Sequence, residues 1–482
     1  MKRLFGLLIL FACLDVWSQK TMDLQTVIRL ANDSSLSAIQ ARSAFLSDYW
    51  DYRSYKAKRL PSLTLTMTPM QYDRDIVKRY ISETDRDEYK VQQSLYSYGG
   101  MTLSQNVDLT GGSIYINSEL SFLRNIGLST YNQFSSVPFR IGYSQDLLGY
   151  NAFKWDRKIE PLRYRKAQTD YLYQQAEISI DAVNNFFAVA LAQEQEEMAR
   201  RNAAACDTLL VRGSEMSRQG KLSAADLLTL QLRSIDAGND YITARNNLAK
   251  AKSALVSFLR LPSETSVKIV VPDFNVPALA ISQETALQLC RKNNPIYLEQ
   301  KQKLLEAKQS LDKARKQRYL EANVNMSVGF NQYASRFSYV YRDLLQQDVV
   351  TFGVSIPLID WGIRKGAYNK AKNNVDEVNA EEGQKISSVE QDVCSMINDF
   401  NVQIKILSAA KEAIYLSEMI YGEMMERFKL GRDGVKPLMD AMLDRQEAQN
   451  KYIQAMQNYW VTYYKLRKLT LFDFEKGVEL GE

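Results

Sequence analysis

The sequence predicts a mainly α-helical chain with a small β component, built from one unit of strands and long helices that occurs twice. Three observations predict it. The first is repetition at two offsets. Arg59 and Met67 fall on Arg318 and Met326 at a shift of 259, whereas Gly142, Leu147, Gly220 and Tyr241-Ile242 fall on Gly353, Leu358, Gly431 and Tyr452-Ile453 at a shift of 211. Each repeat thus holds two blocks of fixed spacing, and the first carries 48 more residues between them. A duplicated unit of this size points to pseudo-symmetry about an axis and not to a catalytic cleft. The second observation is a set of short, strictly alternating runs. The third is a set of helical stretches far longer than a globule needs.

Taking the elements in order, Lys2 and Arg3 precede the apolar run Leu4 to Leu14. That run is too short to cross a bilayer and reads as an export signal, residues 1–18, cut after Ser18. Leu10-Phe11-Ala12-Cys13 is a competing lipoprotein signal that would lipidate Cys13. Leu24 to Lys58 has helical spacing and Pro61 closes it. Then Ser62-Leu63-Thr64-Leu65-Thr66-Met67-Thr68 alternates, as do Phe139 to Ser144, Val324 to Phe330 and Phe352 to Ile356. Each run has one apolar face and one face of Ser, Thr, Asn, Gly or Arg.

In a soluble sandwich such a strand puts its polar side to water; in a transmembrane barrel it puts its apolar side to lipid and its polar side to a lumen. Number tilts the balance. Four short strands cannot close a membrane-spanning barrel, and lipid forbids open sheet edges. If these strands span, several copies must share one barrel, and three copies supply twelve strands. The 48 extra residues fall within about 70–137. Asp108-Leu109-Thr110-Gly111-Gly112 lies there between Met101-Thr102-Leu103 and Ser113-Ile114-Tyr115-Ile116, a hairpin signal. Asp73 to Glu88 is too charged for lipid, so the insert is expected as an added hairpin and loop outside the hydrocarbon zone.

Long helices are expected from about Phe153 to Ser214, with Pro161 near the start, and from Leu222 to Arg260; their counterparts run from about Ile363 to Leu430 and from Pro437 to Leu471. A ~65-residue helix is roughly 100 Å long. Between the repeats, Pro262, Pro272 and Pro277 surround the apolar run Val267 to Val271, a linker with one possible extra strand. The organisation read from the sequence is a signal at 1–18 and a first repeat at 19–261, with strands at about 62–68 and 138–147. A linker at 262–280 follows, then a second repeat at 281–471 with strands at about 322–330 and 350–358, and a tail at 472–482.

Composition narrows the function. Lys and Arg number 61 against 56 Asp and Glu, interspersed without the basic stripe that nucleic acid needs. No nucleic-acid partner is expected. Histidine is absent, which removes the commonest general base and metal ligand. No Ser/His/Asp, Cys/His, phosphate-loop or metal-spaced cluster occurs, so neither an enzyme nor a cofactor is expected. Tyrosine, at 28 residues, suits a membrane interface or the packing of helices. Beyond the signal no apolar run is long enough for a spanning helix. Cys206, Cys290 and Cys394 are an odd set, against a full disulfide framework. If Gly220 and Gly431 mark one level, Cys206 and Cys394 stand roughly 35 Å apart along the helices and cannot bond.

Several stretches together resemble the TolC-type outer membrane factor (outer membrane efflux protein) family over nearly the whole mature chain. They are Arg59-Leu60-Pro61-Ser62-Leu63, Ala244-Arg245-Asn246-Asn247-Leu248, Ala286-Leu287-Gln288-Leu289 followed by Asn293-Asn294-Pro295, and Ser355-Ile356-Pro357-Leu358-Ile359-Asp360-Trp361-Gly362. Leu320 stands where the first repeat has Pro61, and Ser34-Ser35-Leu36 replaces Asn-Asn-Pro. The resemblance implies a homotrimer in outer-membrane lipid, whose twelve strands form a β-barrel continued by a twelve-helix α-barrel in the periplasm. It also implies two partners, a periplasmic adaptor (membrane fusion) protein and an inner-membrane RND or ABC transporter. The function it implies is a passive duct of a tripartite export system. A soluble periplasmic coiled-coil scaffold or adaptor is the rival reading.

Candidate functional residues follow. The helix pairs reverse at Gly220-Lys221 and Gly431-Arg432. These are plain structural turns or, as the resemblance implies, the tip where the adaptor docks. Asp440 and Asp444 share a helix face at i and i+4. Asp440 matches an aspartate that narrows the family's tunnel end, and three copies would form an acidic ring that favours cations; the alternative is a solvated face. Asp433 and Pro437 depart from the family's gate pattern.

Overall fold

The computed structural model describes residues 20–126, 130–271 and 281–481. The expected export signal, its cleavage point, Cys13 and residues 272–280 of the linker lie outside them. Along the chain run β1 (Lys20–Met22), α1 (Leu24–Ser34), α2 (Leu36–Ala57), β2 (Ser62–Ile81), β3 (Arg86–Val107), β4 (Gly112–Ile126), β5 (Tyr131–Asp146), α3 (Ala152–Arg218) and α4 (Ala224–Phe258). Then follow β6 (Val267–Ile269), α5 (Gln283–Asn293), α6 (Pro295–Lys316), β7 (Glu321–Ala334), a 3-10 turn (Phe337–Tyr339), β8 (Leu345–Ser355), α7 (Ile363–Lys429), α8 (Val435–Thr470), β9 (Phe472–Asp473) and β10 (Val478–Glu479).

The duplication is close in all the helices and exact in three of the four pairs; α4 and α8 have 35 and 36 residues. The pairs α1/α5 and α2/α6 have 11 and 22 residues in both repeats. Each of α3 and α7 has 67 residues. Pro161 stands near the start of the 67-residue α3, as expected, but in its third turn; it supplies no amide to the helix ladder there. No described helix is long and apolar enough to cross a membrane.

The chain divides into two units. Unit one holds residues 1–46, 167–297 and 385–482, and unit two holds 47–166 and 298–384. Unit one is helical around an apolar core in which Val27, Phe186, Phe187, Leu255, Val393, Phe400, Tyr459 and Tyr463 are fully buried. The linker's expected extra strand is β6, which pairs in parallel with β1. The bend between the two short helices of each repeat is tied to the end of a long helix. In the second repeat the Asn293 amide donates to the Thr470 carbonyl (3.2 Å) and Asn294 to Leu469 (2.9 Å). In the first, the Ser34 hydroxyl donates to the Leu259 carbonyl (2.9 Å). Ser34 and Leu259 are the repeat positions of Asn293 and Thr470, so the departure from Asn-Asn-Pro changes the residue and keeps the bond.

The segment expected as a tail is a small hairpin, β9 with β10. Asp473 is buried there, accepts from the Tyr463 hydroxyl (2.8 Å) and pairs with Arg467 (3.2 Å). Burial works against its ionisation. The Tyr463 hydroxyl, Arg467 and backbone amides outweigh that, so its carboxyl lies below the usual range.

Unit two contains one antiparallel six-stranded sheet in the order β2-β3-β4-β5-β7-β8. This corrects the expected four strands per chain. The insert is not a hairpin and loop apart from the sheet. Its residues complete β2, form β3 and β4, and begin β5, so two whole strands stand between β2 and β5. Only the charged stretch beyond about residue 73 rises past β4, as a ribbon of β2 and β3 alone, since β4 pairs with β3 no further than Gln93.

Candidate functional site

The sheet's chemistry follows from which residues share a face. Directly paired residues lie side by side on one face. One such row runs Leu63, Leu103, Ile116, Ile141, Val328. A neighbouring row runs Ile114, Tyr143, Met326, Val350, and Val324 pairs with Phe352 beside it. Leu63, Leu103, Ile114, Ile141, Met326, Val328, Val350 and Phe352 are all exposed in the single chain. Between them alternate Ser62, Thr64 and Thr66 on β2, Ser104 and Thr102 on β3, Ser113 and Asn117 on β4, Ser144 and Arg140 on β5, Asn323, Asn325 and Ser327 on β7, and Ser355 and Thr351 on β8.

The sheet therefore has one mainly apolar and one mainly polar face, the pattern of a wall between lipid and water; Gln105, Gln145 and Asp348 are the polar residues that continue these rows on the apolar face. Arg140 and Glu119 approach on the polar face at 3.9 Å, and Asn117 donates to Glu119. This charged group was missed from the sequence; its signal is the placement of Asn117 and Glu119 in an otherwise apolar-polar alternation.

At the foot of the sheet, Asp360 caps α7 by accepting from the Gly362 and Arg364 amides at 2.9 and 3.1 Å. Those bonds hold its carboxyl below the usual range. Leu358, Ile359, Trp361 and Ile363 beside it are almost wholly exposed. An amphipathic indole at the end of an apolar band fits a membrane interface. Of the roles expected of tyrosine, the packing of helices is seen here. Tyr52 stacks on Tyr164 at 4.5 Å between helices, whereas Tyr72, Tyr89 and Tyr333 project from the strands.

In unit one the two helical turns have one geometry. Gly220 and Gly431 adopt φ of +72° and +68°. In the first turn the Gly220 amide donates to the Ser217 carbonyl (3.0 Å) and Lys221 to Met216 (2.9 Å); in the second, Gly431 donates to Phe428 and Arg432 to Arg427, both at 3.0 Å. Each is a helix-ending loop that uses a left-handed residue to satisfy the last carbonyls. The helices then restart differently. Ser223 caps α4 by accepting from the Asp226 amide (3.0 Å), whereas Gly434 supplies no side-chain cap to α8. Lys221 and Arg432 are exposed, and neither makes an ion pair among the described residues.

Beneath the turns Leu209, Leu230, Phe428, Val435 and Leu438 form a second apolar core. Asp440 and Asp444 follow on α8, both exposed and neither paired among the described residues; Asp433 lies 3.9 Å from Arg427. The sequence missed Arg445. It lies over the Tyr421 ring at 4.0 Å and donates to Asn202 (3.2 Å), largely buried. The described cysteines are free; Cys206 and Cys290 are buried, and burial pushes the Cys290 thiol up to about 12. No group of residues suited to a metal ion occurs among the described residues.

Residues 286–470 match the family model described as outer membrane efflux protein. No curated protein matches the chain. Its fold is similar to that of a membrane protein from Pseudomonas aeruginosa (TM-score 0.68, 14% identity, 95% of this chain and 92% of that one). It is similar also to the Campylobacter jejuni CmeC outer membrane channel (0.66, 15%, 95% and 87%) and to the outer membrane protein VceC of Vibrio cholerae (0.64, 12%, 93% and 95%).

Proposed function

From the premise that this chain belongs to the outer membrane efflux protein family, and is an outer-membrane efflux channel without enzymatic activity, we propose that it is the passive duct of a tripartite export system. The observation that carries this reading is the two-faced sheet. Its apolar face fits lipid, its polar face fits a water-filled lumen, and its two free edges have no place in lipid unless other copies cover them. Three copies make one assembly on this reading, in outer-membrane lipid with the helical part in the periplasm. An exposed stripe on α4 supports self-association: Leu228, Leu232, Ile235 and Ile242 recur at near-heptad spacing and are each more than half exposed.

A periplasmic adaptor docks on the turns around Gly220-Lys221 and Gly431-Arg432, which present unpaired cations, and an inner-membrane RND or ABC transporter supplies the energy. Asp440, with Asp444 one turn on, narrows the far end as an acidic ring. The test uses the purified protein in detergent. Heat-modified gel mobility and ohmic conductance in planar bilayers are expected; a chain that stays soluble after lysis without detergent is the rival scaffold instead. Asp440→Ala is expected to raise single-channel conductance and reduce its sensitivity to divalent cations. Unchanged conductance removes Asp440 from the gate.

A further inference from the structure

Resting on the trimeric channel reading, we propose that the barrel has eighteen strands, with β3 and β4 as the element that widens it, and that each edge of the sheet is covered by a second copy of this chain.

The inserted strands are wall and not ornament. β3 pairs with β2 from Ser62 to Ile81 and with β4 from Gln93 to Val107, so removing the hairpin from the sheet would break both ladders and the β4–β5 ladder. The apolar row crosses it without a gap through Leu103 and Ile116. A hairpin standing in water has no use for that face. On the polar side the Tyr115 ring of β4 lies over Gly142 of β5, where an added Cβ would meet it at 2.1 Å. In the second repeat the counterpart Gly353 is covered by Asn323 of its own neighbour strand β7, at 2.2 Å from an added Cβ. The first repeat has thus fitted its inserted strand into the same hollow.

The edges fit one another. β2 and β8 are the outermost strands of the sheet and run in opposite directions, so β8 of one copy meets β2 of the next as an antiparallel pair. Exposed Leu63 and Leu65 on β2 and Val350 and Phe352 on β8 carry the apolar face up to both edges; further along the same face of β8 stand Gln346 and Asp348, joined by a 2.9 Å hydrogen bond, so polar groups occur on that face only toward the far end of β8 at this seam. Width then follows from strand number. With ~4.8 Å between strands and a tilt of about 40°, eighteen strands give a backbone diameter of about 36 Å against about 24 Å for twelve. Allowing about 5 Å of side chain on each wall, the clear width is about 26 Å instead of about 14 Å. The outer mouth admits solutes, or two-stranded segments of polypeptide, that a twelve-stranded mouth rejects.

The experiment places Thr66→Cys on β2 together with Thr351→Cys, Val349→Cys or Gln347→Cys on β8, all on the polar face, in the full-length protein, with Thr66→Cys paired with Ser121→Cys on β4 as the control. Oxidation is expected to give, for one of the β8 partners, a denaturing-gel ladder that ends at three chains. Neutral polymers of about 20 Å diameter, added only on the outer side, are expected to enter the pore and lower its conductance. A ladder that ends at two chains, no ladder with any β8 partner, or exclusion of the 20 Å polymer each overturns the eighteen-stranded barrel. If conductance persists in those cases, the channel reading stands and only the strand count falls; absent conductance and absent heat-modifiable oligomers sink the channel reading itself.

Discussion

The two repeats share their helices and differ in their strands. Both join a short helix pair of 11 and 22 residues to an entering strand and leave through a 67-residue helix. In the second repeat β7 turns directly into β8 through residues 335–344 and pairs with it. In the first, β2 and β5 never touch, because β3 and β4 stand between them. Helices that pack side by side along their whole length must keep a common length and register. A sheet that grows at a hairpin keeps every existing ladder except the one it opens. The repeat tolerates change where the wall can be lengthened and refuses it where the helices must match.

The largest effect is expected from making the repeats alike. Replacing residues 76–133 with residues 335–344 restores the second repeat's connection to the first. If the hairpin sets the width, the chimera should still form a heat-modifiable oligomer, yet exclude the 20 Å polymer that the parent admits. An unchanged exclusion size breaks the comparison.

Next come the turns. Gly220→Ala and Gly431→Ala each force a β-carbon into a left-handed conformation, at about 1–2 kcal/mol. An added Cβ meets nothing within 4 Å at Gly220 and only the Met216 methyl at 3.6 Å at Gly431. The two variants should therefore lower the unfolding midpoint in detergent equally. A clearly larger loss at one turn would show that the repeats are not equivalent there.

Smaller still are the bends. Ser34→Ala and Asn293→Ala delete corresponding bonds to the Leu259 and Thr470 carbonyls. Each should cost about 1 kcal/mol by chemical denaturation.

The smallest effect separates the repeats by pH, because only the second is followed by the β9–β10 hairpin. The Asp473 carboxyl lies below its ordinary 3.8 in the folded protein. Its contribution is therefore complete above that value and is lost as pH falls through the lower folded-state value. Asp473→Asn should lower stability at pH 7 and flatten the decline below about pH 4. A variant with the parent's acid limb assigns that decline to other carboxylates.

The helices were legible because the offset of 211 holds from Gly142 to Tyr452 and because glycine sits at each reversal. The inserted strands were not, for two physical reasons. Bulges shift the register in β2 between Thr68 and Gln71, and in β5 between Ser136 and Phe139, the latter against both of its neighbours β4 and β7. Each reverses the phase of alternation, so β2 carries its apolar face on Leu63, Leu65 and Met67 and then on Tyr72 and Ile76, and a single strand reads as a short strand and a loop. Ser97, Gly99 and Ser118 also stand among the apolar-face positions of β3 and β4, which dilutes the period. Of the candidate site residues, the turn glycines showed themselves through repetition. Arg445 and the Glu119–Arg140 pair did not, because their partners come from distant sequence.

The direction of the strands carries one more consequence. α3 leaves from the end of β5 and α7 from the end of β8. A single inserted strand would have reversed the travel of every later strand and delivered α3 to the opposite side of the bilayer from α2. Growth by pairs is the only kind this wall can survive, which makes the hairpin the unit in which such a pore changes calibre over evolutionary time, leaving the helices and whatever they bind untouched.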